Sequence, residues 1–423
     1  MGFVSVEVPS TTVVASASYW ADDSNWLLRL LVNLLGYATI IGPGALLICY
    51  VRRTKCLENQ VGPVSRVLRL LVLGHEQESS KPSLELGGRT ESPRPARSLL
   101  SEAFVLAYCF LGLQVSYLTW GVLQEKIMTQ RYYTVMPSSP LEDGGQRFGD
   151  SQFLVFVNRV LAFSLSGLYL LVSQQPWHVA PVYKYSYCSF SNIMSSWCQY
   201  EALKFVAFPT QVLAKASKVI PVMLMGKLVS RKSYEWHEYL LALAISLGMG
   251  LFLLSRSSGA AASSSAAASS SSSSLSGLVI LVGYLLLDSF TSNWQSELFR
   301  TYRMSSAQMM CGVNFFSCLF TLVSLLQQGA LGASVHFMFR YHAFFYDCLL
   351  LSLCSATGQL FVFHTIAQFG PVVFVVAMTV RQAVAVLLSC LIYGHRLGTL
   401  GIAGVLVVFG AVFAKIYVRQ RAG

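Results

Sequence analysis

Apolar residues fall along the chain in long unbroken runs, not in the alternation of strands or the one-sided stripes of soluble helices. The first run is Leu27–Tyr50. It contains Gly42-Pro43-Gly44, where a kink is expected, and Arg29 near its start. A polar stretch follows, Val51–Arg97, with nine cations, five carboxylates and four prolines. Within it, Val61–Leu73 carries Arg66 and Arg69 among apolar residues. That pattern fits either an interfacial amphipathic helix or an ordinary loop helix. Ten further apolar runs lie at about 99–123, 152–173, 183–205, 209–229, 237–254, 275–297, 306–327, 344–366, 371–393 and 398–417. Each approaches the ~20 residues a helix needs to cross a bilayer.

The expected fold is therefore an all-α polytopic membrane protein. Ala260–Ser274 consists of Ala and Ser alone and divides the ten runs into five and five. The halves echo each other. Gln199 lies nine residues before Phe208-Pro209, and Gln359 lies ten before Phe369, with Pro371 following. A cation comes nine residues after Pro209, at Lys218, and ten after Pro371, at Arg381. Short basic turns, Ser230-Arg231-Lys232 and Gly394-His395-Arg396, close the two segments. Two five-helix halves in series must run oppositely through the membrane, which is the inverted-repeat logic of secondary transporters. The order expected is an N-terminal segment 1–26, an extra transmembrane helix 27–50, a linker 51–98, a first repeat 99–255, an Ala/Ser-rich linker 256–274, a second repeat 275–418 and a tail 419–423.

Composition agrees with this pattern. Hydrophobic residues make up 54% and charged residues 12% of the chain, and mean hydropathy is +0.55. A soluble domain carries about twice that charge, and a disordered chain lacks such apolar content. The net charge of +11 would suggest nucleic acid in a soluble protein, but here the cations flank and enter apolar runs. With Val51–Arg97 placed in the cytosol, the cytosolic segments carry 17 Lys and Arg and the opposite side six. That asymmetry orients the ten-helix core with cytosolic ends and puts residues 1–26 on the lumenal side. The ten cysteines are scattered, with no CxxC pair, so neither a metal site nor a disulfide framework is expected. The first 26 residues lack the basic start and compact apolar run of a cleavable signal peptide.

Seven cations remain at membrane depth: Arg29, Arg159, Lys204, Lys215, Lys218, Lys227 and Arg381. Arg29 and Lys227 lie near run ends, where long side chains snorkel to the interface, and Arg159 could do the same. Lys215, Lys218 and Arg381 are deep, at roughly 2.5–3.5 kcal/mol each on insertion scales. Gln211, Lys215 and Lys218 share the i, i+4, i+7 face of a helix. Pro221 is expected to free a carbonyl toward the same region. The carboxylates deep enough to balance them are Glu201 and Asp288. Two anions cannot neutralise Lys204, Lys215, Lys218 and Arg381, and hydrocarbon penalises the remainder. A site facing an anionic ligand is the expectation, against the alternative of structural pairing. Polar faces of other runs could line it: Asn192, Ser195, Ser196 and Gln199; Asp288, Ser292 and Gln295 with Asn293 alongside; Asn314, Ser317 and Thr321; Ser352, Ser355 and Gln359. Singly, Ser and Thr in such helices mark close packing. Ser292, Asn293 and Gln295 could read a base edge, and Asp288 is expected to hold a lysine when no ligand is bound. No Walker A motif or hydrolase signature is present, so neither an ATP-driven pump nor an enzyme is expected, and no cofactor.

Ten core runs in two halves, with Lys in the fourth and a basic residue in the ninth, resemble nucleotide-sugar transporters of the drug/metabolite transporter superfamily. Several long stretches carry the likeness: Gly112–Glu125, Ser195–Phe205, Pro209–Met223 and Asp288–Gln295. They resemble the branch that handles adenosine 3′-phospho 5′-phosphosulfate (PAPS), and the resemblance spans roughly residues 25–418. It implies a Golgi membrane carrier that imports PAPS from the cytosol, in exchange for an adenosine mono- or bisphosphate, to supply lumenal sulfotransferases. Alternatives are a sugar-nucleotide antiporter of the same fold, a multispan transferase, or a receptor. A transferase would need a catalytic His or carboxylate pair in a sizeable loop; the largest lumenal loop, Lys126–Ser151, has Glu142, Asp143 and Asp150 but no His.

Overall fold

A computed structural model describes residues 26–54, 72, 99–133, 145–175, 180–202, 205–206, 214–215, 217–231, 233–261, 271–392 and scattered positions from 403 to 414. The described chain is almost wholly helical. The helices are α1 (Trp26–Thr54), α2 (Leu99–Thr129), α3 (Ser151–Val172), α4 (Tyr183–Ala202), α5 (Val219–Ser230), α6 (Trp236–Ala261), α7 (Ser271–Tyr302), α8 (Ser306–Gln327), α9 (Ala330–Arg340) and α10 (His342–Ile392). Strands β1 (Arg131–Tyr132) and β2 (Gln146–Arg147) form a small antiparallel pair between α2 and α3. Among the described residues, six helices are long and apolar enough to cross a membrane. Their outer faces are oily: Leu35, Leu46 and Phe104 are each more than 70% exposed. In water such a belt would drive aggregation; in lipid it is the solvated surface. The chain is a multi-pass membrane protein.

The helices largely follow the apolar runs, with differences that have local causes. α6 and α7 extend into the Ala/Ser segment from either side, to Ala261 and from Ser271. The segment read as linker is helical at both described ends; alanine, the best helix former, favours this at Ala260 and Ala261. α9 was not expected. It is a short amphipathic helix between α8 and α10, and Phe337 in it packs on the ring of Tyr341 at 4.5 Å. The runs at 344–366 and 371–393 form one rod, α10, broken at Gly370, whose φ of 83° and ψ of 173° are non-helical. Pro371 follows. It lacks the N–H a continuous helix would use and clashes with the preceding turn, while Gly370 takes a backbone geometry closed to other residues. The predicted interfacial helix at 61–73 lies, apart from Val72, outside the described residues, as do residues 1–25 and 415–423.

Helix pairing follows a recurrent scheme: α4 packs on α7, α3 on α8, and α2 on α10. Small residues bring the rods close. Gly312 of α8 lies against the Tyr185 ring of α4, where a Cβ would sit 2.7 Å from the ring. Serines of α4 donate across the contacts: Ser189 to the Val313 carbonyl at 2.7 Å, Ser191 to Leu287 at 2.6 Å and Ser195 to Tyr284 at 3.3 Å. Each of these three hydroxyls finds a carbonyl on a neighbouring helix.

One end of the bundle is sealed by aromatics. Tyr132, Phe148, Phe153, Tyr341 and Phe344 are buried there with Phe337 beside them. Lys126 pairs with Asp347 at 2.8 Å, and the Tyr132 hydroxyl donates to the same carboxylate at 3.0 Å. These contacts tie the end of α2 and β1 to the start of α10. At the other end, the Trp294 indole donates to the Lys184 carbonyl at 3.0 Å, and Lys184 meets Tyr302.

The break in α10 yields a matched pair of predictions. Gly370→Ala should cost about 1–3 kcal/mol, the usual cost of forcing a side chain into a glycine-only region. Gly332→Ala, in α9 with open space around it, should be neutral or stabilise by up to ~1 kcal/mol. Thermal unfolding of the purified protein in one detergent reads both. Equal melting temperatures for Gly370→Ala and the parent would show that the kink needs no glycine.

Candidate anion-binding site

The deep lysines stand at the mouth of α5. The described helix begins at Val219, and Lys218 holds its N-cap position with helical φ and ψ but no side-chain cap. Ser217 and Lys218 form a turn, and the Lys218 N–H donates to the Lys215 carbonyl at 3.3 Å. Pro221 falls in the first turn, where backbone N–H groups have no intrahelical acceptor. It therefore opens a helix here, rather than freeing a carbonyl in mid-span as the sequence suggested. The start of a helix carries the positive end of its dipole, so the peptide groups of α5 add to the charge of Lys215 and Lys218.

Lys218 forms an ion pair with Asp288 of α7, both side chains about one-fifth exposed. α7 is held in place for this by Asn293, fully buried, whose amide donates to the Val222 carbonyl of α5 and the Ser289 carbonyl, each at 2.9 Å. Ser292 donates to the Asp288 and Ser289 carbonyls of its own helix, at 3.3 and 3.1 Å, and Gln295 is 7% exposed. Of the residues expected to read a base edge, Asn293 uses its amide N–H groups in seating α7 against α5, and Ser292 bonds within α7.

The second half contributes Arg381, about three turns into the rod that follows Gly370. Its guanidinium carbon lies 5.6 Å from the centre of the Tyr117 ring of α2, within cation–π range. Its Nε is buried and has no hydrogen-bond partner among the described residues. Lys215 lies within electrostatic reach of both Arg381 and Lys218. Tyr117 lies within reach of Arg381 and also of Arg159, on α3. Arg159 donates to the Asn314 carbonyl oxygen at 3.4 Å, and Asn314, fully buried on α8, donates to Gln359 of α10 at 2.9 Å.

The cations thus form one row: Lys218, Lys215, Arg381 and, through Tyr117, Arg159. Helices from both halves supply it. Of the residues singled out in the sequence, Lys215, Lys218 and Arg381 lie in it, Asp288 pairs with Lys218, and Gln359 accepts from Asn314 beside it. Glu201 is buried near the end of α4, and Gln199 lies half-buried one turn from that end. Lys204 and Gln211 lie outside the described residues. Arg159 and Tyr117 are additions. Arg159 had been read as able to snorkel, but it stands eight residues into its span, a depth signal comparable with that of Lys218. Nothing in the sequence around Tyr117 marks it, because its partners come from other helices.

Of the four cations in the row, only Lys218 has an ion-paired carboxylate among the described residues, Asp288; none pairs with Lys215, Arg381 or Arg159. Such an arrangement suits anions in a dry setting, where charge-assisted and bidentate hydrogen bonds are strongest.

The comparisons with known proteins agree with a carrier. Residues 105–419 match the model of the UAA transporter family. The chain is similar to a human protein, adenosine 3′-phospho 5′-phosphosulfate transporter 1, at 54% identity over 396 residues, covering 94% of this chain and 88% of the human one. The fruit-fly (Drosophila melanogaster) protein of the same name is 48% identical, covering 99% of this chain and 88% of its own. The UDP-galactose/UDP-glucose transporter 5 of Arabidopsis thaliana is 34% identical, covering 78% of this chain and 92% of that one. A family match across most of its helices, with relatives at this identity, means that the chain belongs to the UAA transporter family.

Proposed function

We propose that this protein carries PAPS across the Golgi membrane, from cytosol to lumen, by exchange with an adenosine mono- or bisphosphate. The observation that carries the reading is the row of four cations with one ion-paired carboxylate among the described residues, in a chain about half identical to proteins named for PAPS transport. PAPS bears about four negative charges on two separate groups, a nucleotide sugar about two on one diphosphate. The surplus of cations matches the more anionic ligand. The sugar-nucleotide alternative rests on the Arabidopsis relative, whose identity to this chain is lower and covers less of it.

The architecture proposed is ten core helices in two inverted repeats, with α1 outside them. Three observations support it. If α2, α3 and α4 open the first repeat and α7, α8 and the first part of α10 open the second, then the pairs α4–α7 and α2–α10 exchange under a two-fold and α3–α8 maps onto itself. Each repeat has a helix that starts at a break, α5 at Lys218 and the second rod of α10 at Gly370. Each of these helices brings a cation to the row. Interrupted helices at matching places in two halves mark the binding site in transporters of this logic.

The charge balance implies exchange. An empty site with uncompensated cations must be closed off from water whenever the halves rock past each other, at several kcal/mol per bare ion. A bound nucleotide removes most of that cost, so loaded carriers reorient and empty ones stall. Uptake of radiolabelled PAPS into proteoliposomes tests the reading. Vesicles preloaded with adenosine monophosphate or 3′,5′-bisphosphate should take it up several-fold faster than empty ones. No uptake at all would remove the substrate assignment, and equal rates in both would remove obligatory exchange.

The Lys218–Asp288 pair gives a separate prediction with opposite signs. Lys218→Gln should weaken PAPS binding by about 2–5 kcal/mol, the cost of truncating one partner of a desolvated charge pair. Asp288→Asn should lower the melting temperature of the empty protein, since it strands a lysine. It should raise the stabilisation gained on adding PAPS, because the ligand no longer competes with the carboxylate. Weaker stabilisation by PAPS in Asp288→Asn would place that carboxylate on the ligand's side of the account instead.

A further inference from the structure

We propose that Arg159, together with Arg381 and linked to it through the Tyr117 ring, forms a second anion subsite, so that the carrier selects nucleotides bearing two separated anionic groups over those bearing one. This rests on the PAPS reading above and extends it to the far end of the row.

Lys215 lies within electrostatic reach of Lys218 and of Arg381, Arg381 rests 5.6 Å from the centre of the Tyr117 ring, and Tyr117 lies within reach of Arg159. A single diphosphate held by the two lysines would leave the arginine end unanswered. The two ends also differ in compensation. The lysine end has Asp288 on Lys218. At the arginine end, the described residues give Arg159 one neutral acceptor, Asn314 Oδ1, at a long 3.4 Å. Arg381 Nε is buried with no acceptor. A guanidinium offers five N–H donors in a planar fork, and desolvating them without acceptors is costly. A phosphate meets that fork bidentately. The amide chain behind Arg159 fixes its direction. Asn314 is held by its own bonds to Met310, at 2.8 Å, and Gln359, at 2.9 Å, so its Oδ1 is turned to Arg159 while its amide is committed elsewhere. Arg159 comes from α3 and Arg381 from α10, so a ligand group between them would bridge the two halves. In a nucleotide with anionic groups on both the 3′ and 5′ positions, the ribose separates the two charges. The lysine end would take one group and the arginine end the other.

The test is a binding panel on the full-length protein in detergent, with PAPS, adenosine 5′-phosphosulfate, adenosine 3′,5′-bisphosphate and adenosine monophosphate. The unmutated protein should bind each doubly anionic ligand at least about tenfold tighter than its counterpart lacking the 3′-phosphate, a difference of about 1.4 kcal/mol. In Arg159→Gln that ratio should fall to near one, through loss of the doubly anionic ligands alone. Arg159→Lys, which keeps the charge but not the fork, should lie between. If Arg159→Gln does not fold, Arg159→Lys is read by the same ratio. Equal weakening of all four ligands would make Arg159 a structural residue and overturn the subsite, as would an unchanged ratio or an unmutated protein without preference. Should the unmutated protein fail to bind PAPS, the transport reading falls, while the bisphosphate-to-monophosphate ratio still decides the subsite.

Discussion

Positive charge placed where water is scarce, with too little negative charge to answer it, is the constraint around which this molecule is organised. Lys215, Lys218, Arg381 and Arg159 reach the interior from α3, the approach to α5 and the second rod of α10. Each would be expensive on a lone helix in lipid. Within the bundle the cost is distributed: Asp288 neutralises Lys218, the Tyr117 face receives Arg381, and an amide chain receives Arg159. What is left over is an attraction for anions. A carrier needs binding energy that appears only while cargo is present, and an under-neutralised site supplies it.

The breaks in the helices serve the same end. A continuous rod through 342–392 would stack its side chains on a fixed spiral. The Gly370 kink lets the part that carries Arg381 take its own direction while the part before it holds Gln359 against Asn314. On the other side, α5 starts beside its lysines and is anchored to α7 by Asn293 reaching the Val222 carbonyl. That anchor sits one turn beyond Lys218 and one turn beyond Asp288, so the ion pair is set by the packing on either side of it. The aromatic cluster around Phe148 and Phe344, with the Lys126–Asp347 pair beside it, packs α2, the strand pair and the start of α10 together at one end of the bundle.

Much of this was legible in the sequence because hydropathy is a local property. The helix positions, the depth of Lys215, Lys218 and Arg381, and the holding of a lysine by Asp288 all follow from runs of residues and a count of carboxylates. Partners across the bundle did not follow. Ser195 and Asn293 lie on polar faces, as their spacing indicates, yet those faces meet the Tyr284 and Val222 carbonyls of neighbouring helices. Periodicity gives a face but not its occupant. Pro221 misled because a proline in a helix interior and one in a first turn look alike until the start of the helix is known. Arg159 was undervalued for the reason that Tyr117 was missed: the interaction that gives each its meaning comes from another helix.

On the proposed reading, the cargo answers the unpaired cations. A structure of the full-length protein with PAPS bound, determined by cryo-electron microscopy, tests this most directly. Anionic groups should then contact Lys215 and Arg381, with Lys218 drawn from Asp288 toward the ligand. Ligand density elsewhere in the bundle, with the Lys218–Asp288 pair intact and Arg381 still resting on Tyr117, would contradict it.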